Sequence, residues 1–286
     1  HATKLSFIRP PMTPHPLLTA LNDAAQIAHT PCGAGRMVWR RWGEGAPLVL
    51  LHGGSGSWKH WVRNIPELAK RYEVWAPDMP GYGDSGDPPA PVDFTLIASI
   101  LRSGFASLRP GASFRLVGFS LGSVVASYMA AADPLLVERL VVINGHLLGP
   151  LIAQPRQMLT RWRDIVDLVE FDRVMRDNLS VLMMSNRDAI DDLAVHLYGE
   201  DLRKARLRPI ALMDMRDDQI LAKLRTRTIC IAGAFDPIAS PSVEAQMEEI
   251  RAVRPDVETH ILPGVGHWAM YEGAAEMNAL LARVLA

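Results

Sequence analysis

The sequence predicts an α/β fold, with a mostly parallel central sheet flanked by helices and a helical insert lying over it. Three observations predict it. Short apolar runs recur along the chain, and several are apolar throughout, as befits strands buried on both faces of a parallel sheet. Segments of helical length with few breakers separate them. One interval, residues 147–217, holds no convincing strand.

In chain order, the strand-like runs are 47–51, 72–77, 114–119, 140–143, 228–232 and 257–262. The spacing predicts helices over 17–28, 58–69, 94–108, 120–132, 242–254 and 274–285, and over 157–170, 171–184 and 188–198 inside the insert. Pro10, Pro11, Pro14 and Pro16 argue against a helix at the start. The expected organisation is an N-terminal extension over 1–35, a core over 36–146 and 218–286, and a helical cap over 147–217. The cap is rich in Met (Met158, Met175, Met183, Met184, Met213, Met215). These side chains serve either as filler between cap and sheet or as the lining of an adaptable apolar pocket.

Composition removes several classes of function. Among 286 residues, 30 Lys and Arg balance 31 Asp and Glu, so no basic surplus points to nucleic acid. With 49% hydrophobic and 21% charged residues, a large core is available and global disorder is excluded. Two cysteines, Cys32 and Cys230, have no metal-type spacing, and neither a disulfide framework nor a metal site is expected. No apolar run approaches the ~18 residues of a membrane span. The expectation is a soluble, cytoplasmic protein with no membrane or nucleic-acid partner. The chain opens on His1, which fits a processed leader or a cloning remnant equally. The Pro-rich start either packs on the core or serves a homodimer contact.

Gly118-Phe119-Ser120-Leu121-Gly122 fits G-x-S-x-G between a buried strand and a small-residue helix. That is the setting of a nucleophile elbow, which exposes Ser120 at a helix N-terminus. A serine hydroxyl needs a base, and the base needs an orienting carboxylate. Of nine His residues, His267 follows the run 257–262 in a glycine-bearing loop. Asp236 directly follows the run 228–232, whereas Asn144, after 140–143, is not acidic. The expected series is Ser120, Asp236, His267. The backbone N–H groups of Leu121 and Gly54 are the expected oxyanion donors, Gly54 lying in the loop His52-Gly53-Gly54-Ser55-Gly56-Ser57. Gly53, Ser55, Trp58, Phe119 and Trp268 are the candidate pocket residues, and His52 reads as structural.

These motifs, with Asp78-Met79-Pro80-Gly81-Tyr82-Gly83-Asp84-Ser85 and Gly266-His267-Trp268, resemble the α/β-hydrolase superfamily over residues 36–286. The resemblance implies a serine hydrolase with no cofactor. It implies a helical cap at 147–217, and it maps the catalytic roles onto Ser120, Asp236 and His267 and the oxyanion donors onto Leu121 and Gly54. The nearest likeness is to carboxylesterases and to the hydrolases that cleave C–C bonds in meta-cleavage products. The latter usually have a glycine-proline oxyanion loop, absent here, and a cap arginine for the substrate carboxylate, for which Arg187 is the candidate. The expected substrate is a small or medium apolar ester or related acyl compound. The alternatives are a 2-hydroxy-6-oxo-dienoate-like ketone, acyl transfer to another acceptor, and a non-catalytic ligand-binding relative.

Overall fold

The computed structural model describes residues 15–148, 158–239 and 241–286 of the chain. Eight strands form one sheet: β1 (Gln26–Cys32), β2 (Gly35–Trp42), β3 (Ala46–Leu51), β4 (Tyr72–Pro77), β5 (Phe114–Phe119), β6 (Val137–Ile143), β7 (Arg227–Gly233) and β8 (Glu258–Leu262). Their spatial order is β1-β2-β4-β3-β5-β6-β7-β8. β2 pairs antiparallel to β1 and β4, and every other pairing is parallel.

The apolar runs are explained by what covers the sheet. Leu48 and Leu50 of β3, Val117 and Phe119 of β5 and Ile229 and Ile231 of β7 enter one core cluster. Their alternating neighbours Val49, Leu51, Leu116, Cys230 and Ala232 enter the other. With both faces buried, side-chain alternation changes the layer a residue joins and not its polarity. Helices α1 (Pro16–Ala24), α2 (Ile65–Leu68), α3 (Phe94–Leu108) and α4 (Leu121–Ala132) belong to the core.

Three expectations need correction. First, the boundary at 35/36 cuts through a hairpin: residues 26–32 are the first strand of the sheet, and α1 is tied in by Trp42 Nε1 donating to Leu21 O at 2.8 Å. Neither strand is an unbroken apolar run: β1 carries Gln26, His29 and Thr30, and β2 carries Arg36, Arg40 and Arg41. β1 lies at the sheet edge, and β2 carries Arg40, whose charge is buried against Asp78 and Asp84 at 3.1 and 2.7 Å. Second, the helix expected over 58–69 is a 3₁₀ turn, Trp58–Trp61, followed by the one-turn α2. Trp58 N is taken by Asp78 Oδ1 at 2.9 Å, and Pro66 can begin a helix but not continue one. Third, residues 158–167 are not helical. The carboxamide of Asn178 pairs with both backbone groups of Thr160, at 2.8 and 2.9 Å, and Asp167 caps a helix that starts one residue later.

The described part of 147–217 has only helices and turns, chiefly α5 (Leu168–Leu182), α6 (Asp192–Lys204) and α7 (Pro209–Met213). The Met residues divide. Met175 and Met184 fill the core, Met183 and Met213 line a cavity described below, and Met158 and Met215 are exposed. The Pro-rich residues 9–14 lie outside the described residues, and Pro16 opens α1. Among the described residues no helix is long and apolar enough to cross a membrane.

Candidate active site

β5 runs directly into α4 through Ser120, whose φ is +51° and ψ −117°. A serine seldom adopts that conformation, and here the surroundings impose it. Its N–H donates to Ile143 O at 2.9 Å, which locks the turn to β6. A Cβ on Gly122 would lie 2.3 Å from His52 O, so only glycine lets the helix start this close to the end of β3. The hydroxyl is thereby raised at the N-terminus of a twelve-residue helix, where partial positive charge favours a developing anion.

The loop after β8 brings the His267 ring to this hydroxyl, with Nε2 2.9 Å from Ser120 Oγ. Nδ1 lies 2.9 Å from Asp236 Oδ2, in the turn that follows β7. Asp236 Oδ1 accepts from Ile238 N at 2.9 Å, which fixes the carboxylate plane. Because a carboxylate can only accept, Nδ1 carries the proton and Nε2 is left to accept from the serine. All three expected residues are thus joined in series, although they are 31 and 147 positions apart in pairs.

Two residues that support this series were not expected in that role. Asn144, at φ +46°, follows β6. Its Nδ2 donates to the carbonyls of His267 and, at 3.3 Å, Gly266, while Oδ1 accepts from Gly233 N at 2.8 Å. One carboxamide therefore ties the imidazole loop to the turn that carries the carboxylate. The only sequence signal was Asn-Gly after a strand, which marks a turn and not a clamp. His60 Nδ1 accepts from Gly53 N at 3.1 Å, and its ring packs against Phe119 and Trp268. Burial, with smaller repulsion from His52, His267 and Lys59, holds the His60 imidazole well below its ordinary value. His52 is structural as expected: Nδ1 donates to Gly53 O at 2.7 Å, Nε2 accepts from Met79 N at 2.9 Å, and burial lowers its pKa.

Both imidazoles titrate lower in the folded chain than in the unfolded one, so the folded state binds fewer protons. That part of the stability is intact above about pH 6.5 and is lost as the pH falls below it. Replacing His60 with Ala is expected to cost about 3 kcal/mol, from an unpaired buried N–H and an emptied slot, and to flatten the acid side of the profile. Thermal unfolding at pH 8 and pH 5.5 checks this; a variant within one degree of wild type at pH 8 would contradict it.

The serine opens onto a cavity of about 230 Å³. Gly54, Ser55, Phe119 and Leu121 line it from the core, and Leu182, Met183, Tyr198, Leu202, Pro209 and Met213 from the insert. Asn144, His146 and Ile238 complete the wall beside His267. Among the described residues none of the lining side chains is Asp, Glu, Lys or Arg. Gly54 faces Leu121 across the cavity floor, where a Cβ on Gly54 would lie 3.7 Å from Leu121 Cβ and 2.6 Å from Pro209.

A model of the alpha/beta hydrolase family matches residues 48–280. The chain belongs to that family. It is 35% identical over 250 residues to a pimeloyl-[acyl-carrier protein] methyl ester esterase of Aeromonas hydrophila, covering 79% of this chain and 92% of the relative. It is 28% identical over 249 residues to pyrrolizixenacetamide deacetylase of Xenorhabdus hominickii, covering 84% and 90%. It is 25% identical over 263 residues to a 2-hydroxy-6-oxo-6-phenylhexa-2,4-dienoate hydrolase of Burkholderia cepacia, covering 85% and 89%. By family and by these relatives the chain is a hydrolase. The three relatives differ in the compound that their names give as attacked.

Of the expected pocket residues, this hydrolase brings Ser55 and Phe119 to the cavity and leaves three behind it. Trp58 packs on Trp42 with ring centroids 5.3 Å apart, and Trp268 stacks on Tyr271 at 4.2 Å while its Nε1 donates to His60 O. Gly53 is covered by Phe119, whose ring would lie 2.8 Å from an added Cβ. Each stands one layer too deep, which nearness to a motif does not reveal. Arg187 is not a substrate-facing arginine either. It pairs with Asp177 at 2.5 Å and Ser180 at 3.0 Å, with 65% of its side chain exposed.

The insert is joined to the core by charged and polar contacts around the loops after β3 and β4. Ser57 Oγ donates to Asp201 Oδ1 at 2.8 Å, and Lys59 Nζ reaches Glu200 at 2.7 Å and Asp201 at 3.3 Å. Lys204 and Arg206 bind Asp84 and Asp87, at 2.7 and 2.6 Å. Burial pushes the Asp201 carboxyl up to about 6, against the pull of Lys59 and Ser57.

Proposed function

We propose that this hydrolase is a serine esterase acting on uncharged esters with a compact apolar acyl group. The observation that carries the reading is the series Ser120–His267–Asp236 at the floor of a cavity with no charged side chain among its described lining. His267 Nε2 takes the Ser120 proton as Oγ attacks the ester carbonyl carbon. The oxyanion is held by the N–H groups of Gly54 and Leu121, the second at the start of α4. Asp236 keeps the proton on Nδ1 and stabilises the imidazolium. His267 then protonates the leaving alkoxide, and water, deprotonated by the same nitrogen, releases the acid. Asn144 and His60 keep the imidazole and the oxyanion loop in register.

The described lining offers no Lys or Arg to a dienoate substrate, which favours the neutral ester. Such a substrate carries a carboxylate, and an unpaired carboxylate in an apolar cavity costs several kcal/mol. The deciding comparison is between p-nitrophenyl butyrate and the p-nitrophenyl monoester of succinic acid, which differ chiefly in the terminal charge. The neutral ester is expected to have a kcat/KM at least a hundredfold higher, and equal values would overturn the assignment. With about 230 Å³ available, the rate should also fall steeply for acyl chains beyond roughly eight carbons.

A further inference from the structure

The loop after β3 is held at both ends by the core. Gly53 N donates to His60 at one end, and Trp58 N donates to Asp78 Oδ1 at the other. Its middle is a tight turn, with Gly56 N donating to Gly53 O at 3.2 Å and Ser55 at φ +58°. The anchor nearest that turn comes from the insert. Ser57 Oγ donates to Asp201 Oδ1 at 2.8 Å, the two residues being 1% and 2% exposed. Asp201 lies on α6 three residues after Tyr198 and one before Leu202, both of which line the cavity. That spacing puts all three toward one side of the helix. The helix that walls the substrate site is therefore also the helix that grips the loop.

We infer that Asp201 is a positioning residue: through Ser57 it sets the backbone of the loop so that Gly54 N–H is aimed at the oxyanion, and the seated insert completes the oxyanion site. The inference rests on the reading of Gly54 as an oxyanion donor. Stability alone does not account for a carboxylate here. Asp201 Oδ1 takes both the Ser57 hydroxyl and, at 3.3 Å, the Lys59 ammonium, but among the described residues Oδ2 has no hydrogen-bond partner, and a buried carboxylate left half-satisfied is a poorer joint than an apolar side chain of similar volume. An apolar joint would hold the insert down, but it would leave the Ser57 hydroxyl without a fixed acceptor and the turn free to rotate. A donor displaced by about 1 Å costs up to about a hundredfold in rate. Ground-state binding depends on the cavity walls, so the loss should fall on kcat and spare KM.

The test uses the full chain with Ser57→Ala, Asp201→Ala and the double variant. It measures kcat and KM on a neutral p-nitrophenyl ester, Tm, and Ki for a trifluoromethyl ketone, which Ser120 adds to with formation of a tetrahedral oxyanion. Ser57→Ala is expected to lower kcat about tenfold or more, with KM within threefold of wild type and Ki raised by a similar factor. The double variant should be no worse than the weaker single one, because both remove the same bond. A merely structural joint would lower Tm and leave kcat and Ki of the folded protein within twofold; that result, or additive losses, overturns the inference. If Asp201→Ala does not fold, Ser57→Ala, which deletes one hydroxyl, decides alone. Fluorophosphonate labelling of the wild type runs alongside. Without modification at Ser120, the serine reading fails and this inference with it. With modification at Ser120 but unchanged kinetics in Ser57→Ala, the inference alone fails.

Discussion

Ser120→Ala is expected to lower kcat by at least about a thousandfold while leaving the fold intact, since only one oxygen is removed and Ser120 N–H still donates to Ile143 O. What would remain is the acceleration supplied by the oxyanion donors and by binding. The same variant should lose all labelling by a fluorophosphonate, which reports an activated serine without requiring the natural substrate. His267→Ala should also abolish labelling, because the hydroxyl then has no acceptor for its proton. Peptide mass spectrometry of the labelled wild type should find the adduct on Ser120 in a one-to-one ratio. Near-normal turnover in Ser120→Ala, or an adduct on another residue, would refute the assignment.

Asp236→Asn should cost about 10⁴-fold in kcat, about 5.5 kcal/mol of transition-state stabilisation, with little change in KM. An amide in place of the carboxylate can turn its NH₂ toward Nδ1, which drives the proton to Nε2 and leaves nothing to accept from Ser120. A carboxylate at the end of β6 is not expected to restore activity. Asn144 already stands there, but its side chain faces the carbonyls of Gly266 and His267, not the imidazole. Asp236→Asn/Asn144→Asp should therefore be no faster than Asp236→Asn, and less stable, because a carboxylate would meet two carbonyl oxygens in a buried site. Steady-state kinetics with thermal unfolding checks both halves; recovery of even a hundredfold in the double variant would contradict the geometry.

The three residues joined in series were legible because each sits where a local rule makes it visible. Ser120 stands in a glycine-flanked turn between an apolar run and a small-residue helix. Asp236 and His267 each follow a strand-like run within a few residues. A parallel sheet delivers the C-terminal ends of its strands to one edge, so residues that follow strands β5, β7 and β8 converge without any contact being known. The elements misread were those in which tertiary contacts override local pattern. β2 has its apolar run broken by arginines, and only the fold shows Asp78 and Asp84 neutralising Arg40. The run 58–69 looks helical until Asp78 is seen to take Trp58 N.

The sequence by itself determined the fold class, the positions along the chain of the strands from β3 onward, and the three residues joined in series at the strand ends. The tertiary structure alone decided which side chains wall the cavity, that Arg187 turns away from it, and that Asn144, His60 and Asp201 hold the loops in place. The physical reason is separation along the chain. Strand periodicity and turn chemistry act over a few residues and leave a pattern in the text. The bond between Ser57 and Asp201 joins positions 144 apart, and no local preference of a serine or an aspartate records which partner the folded chain will bring.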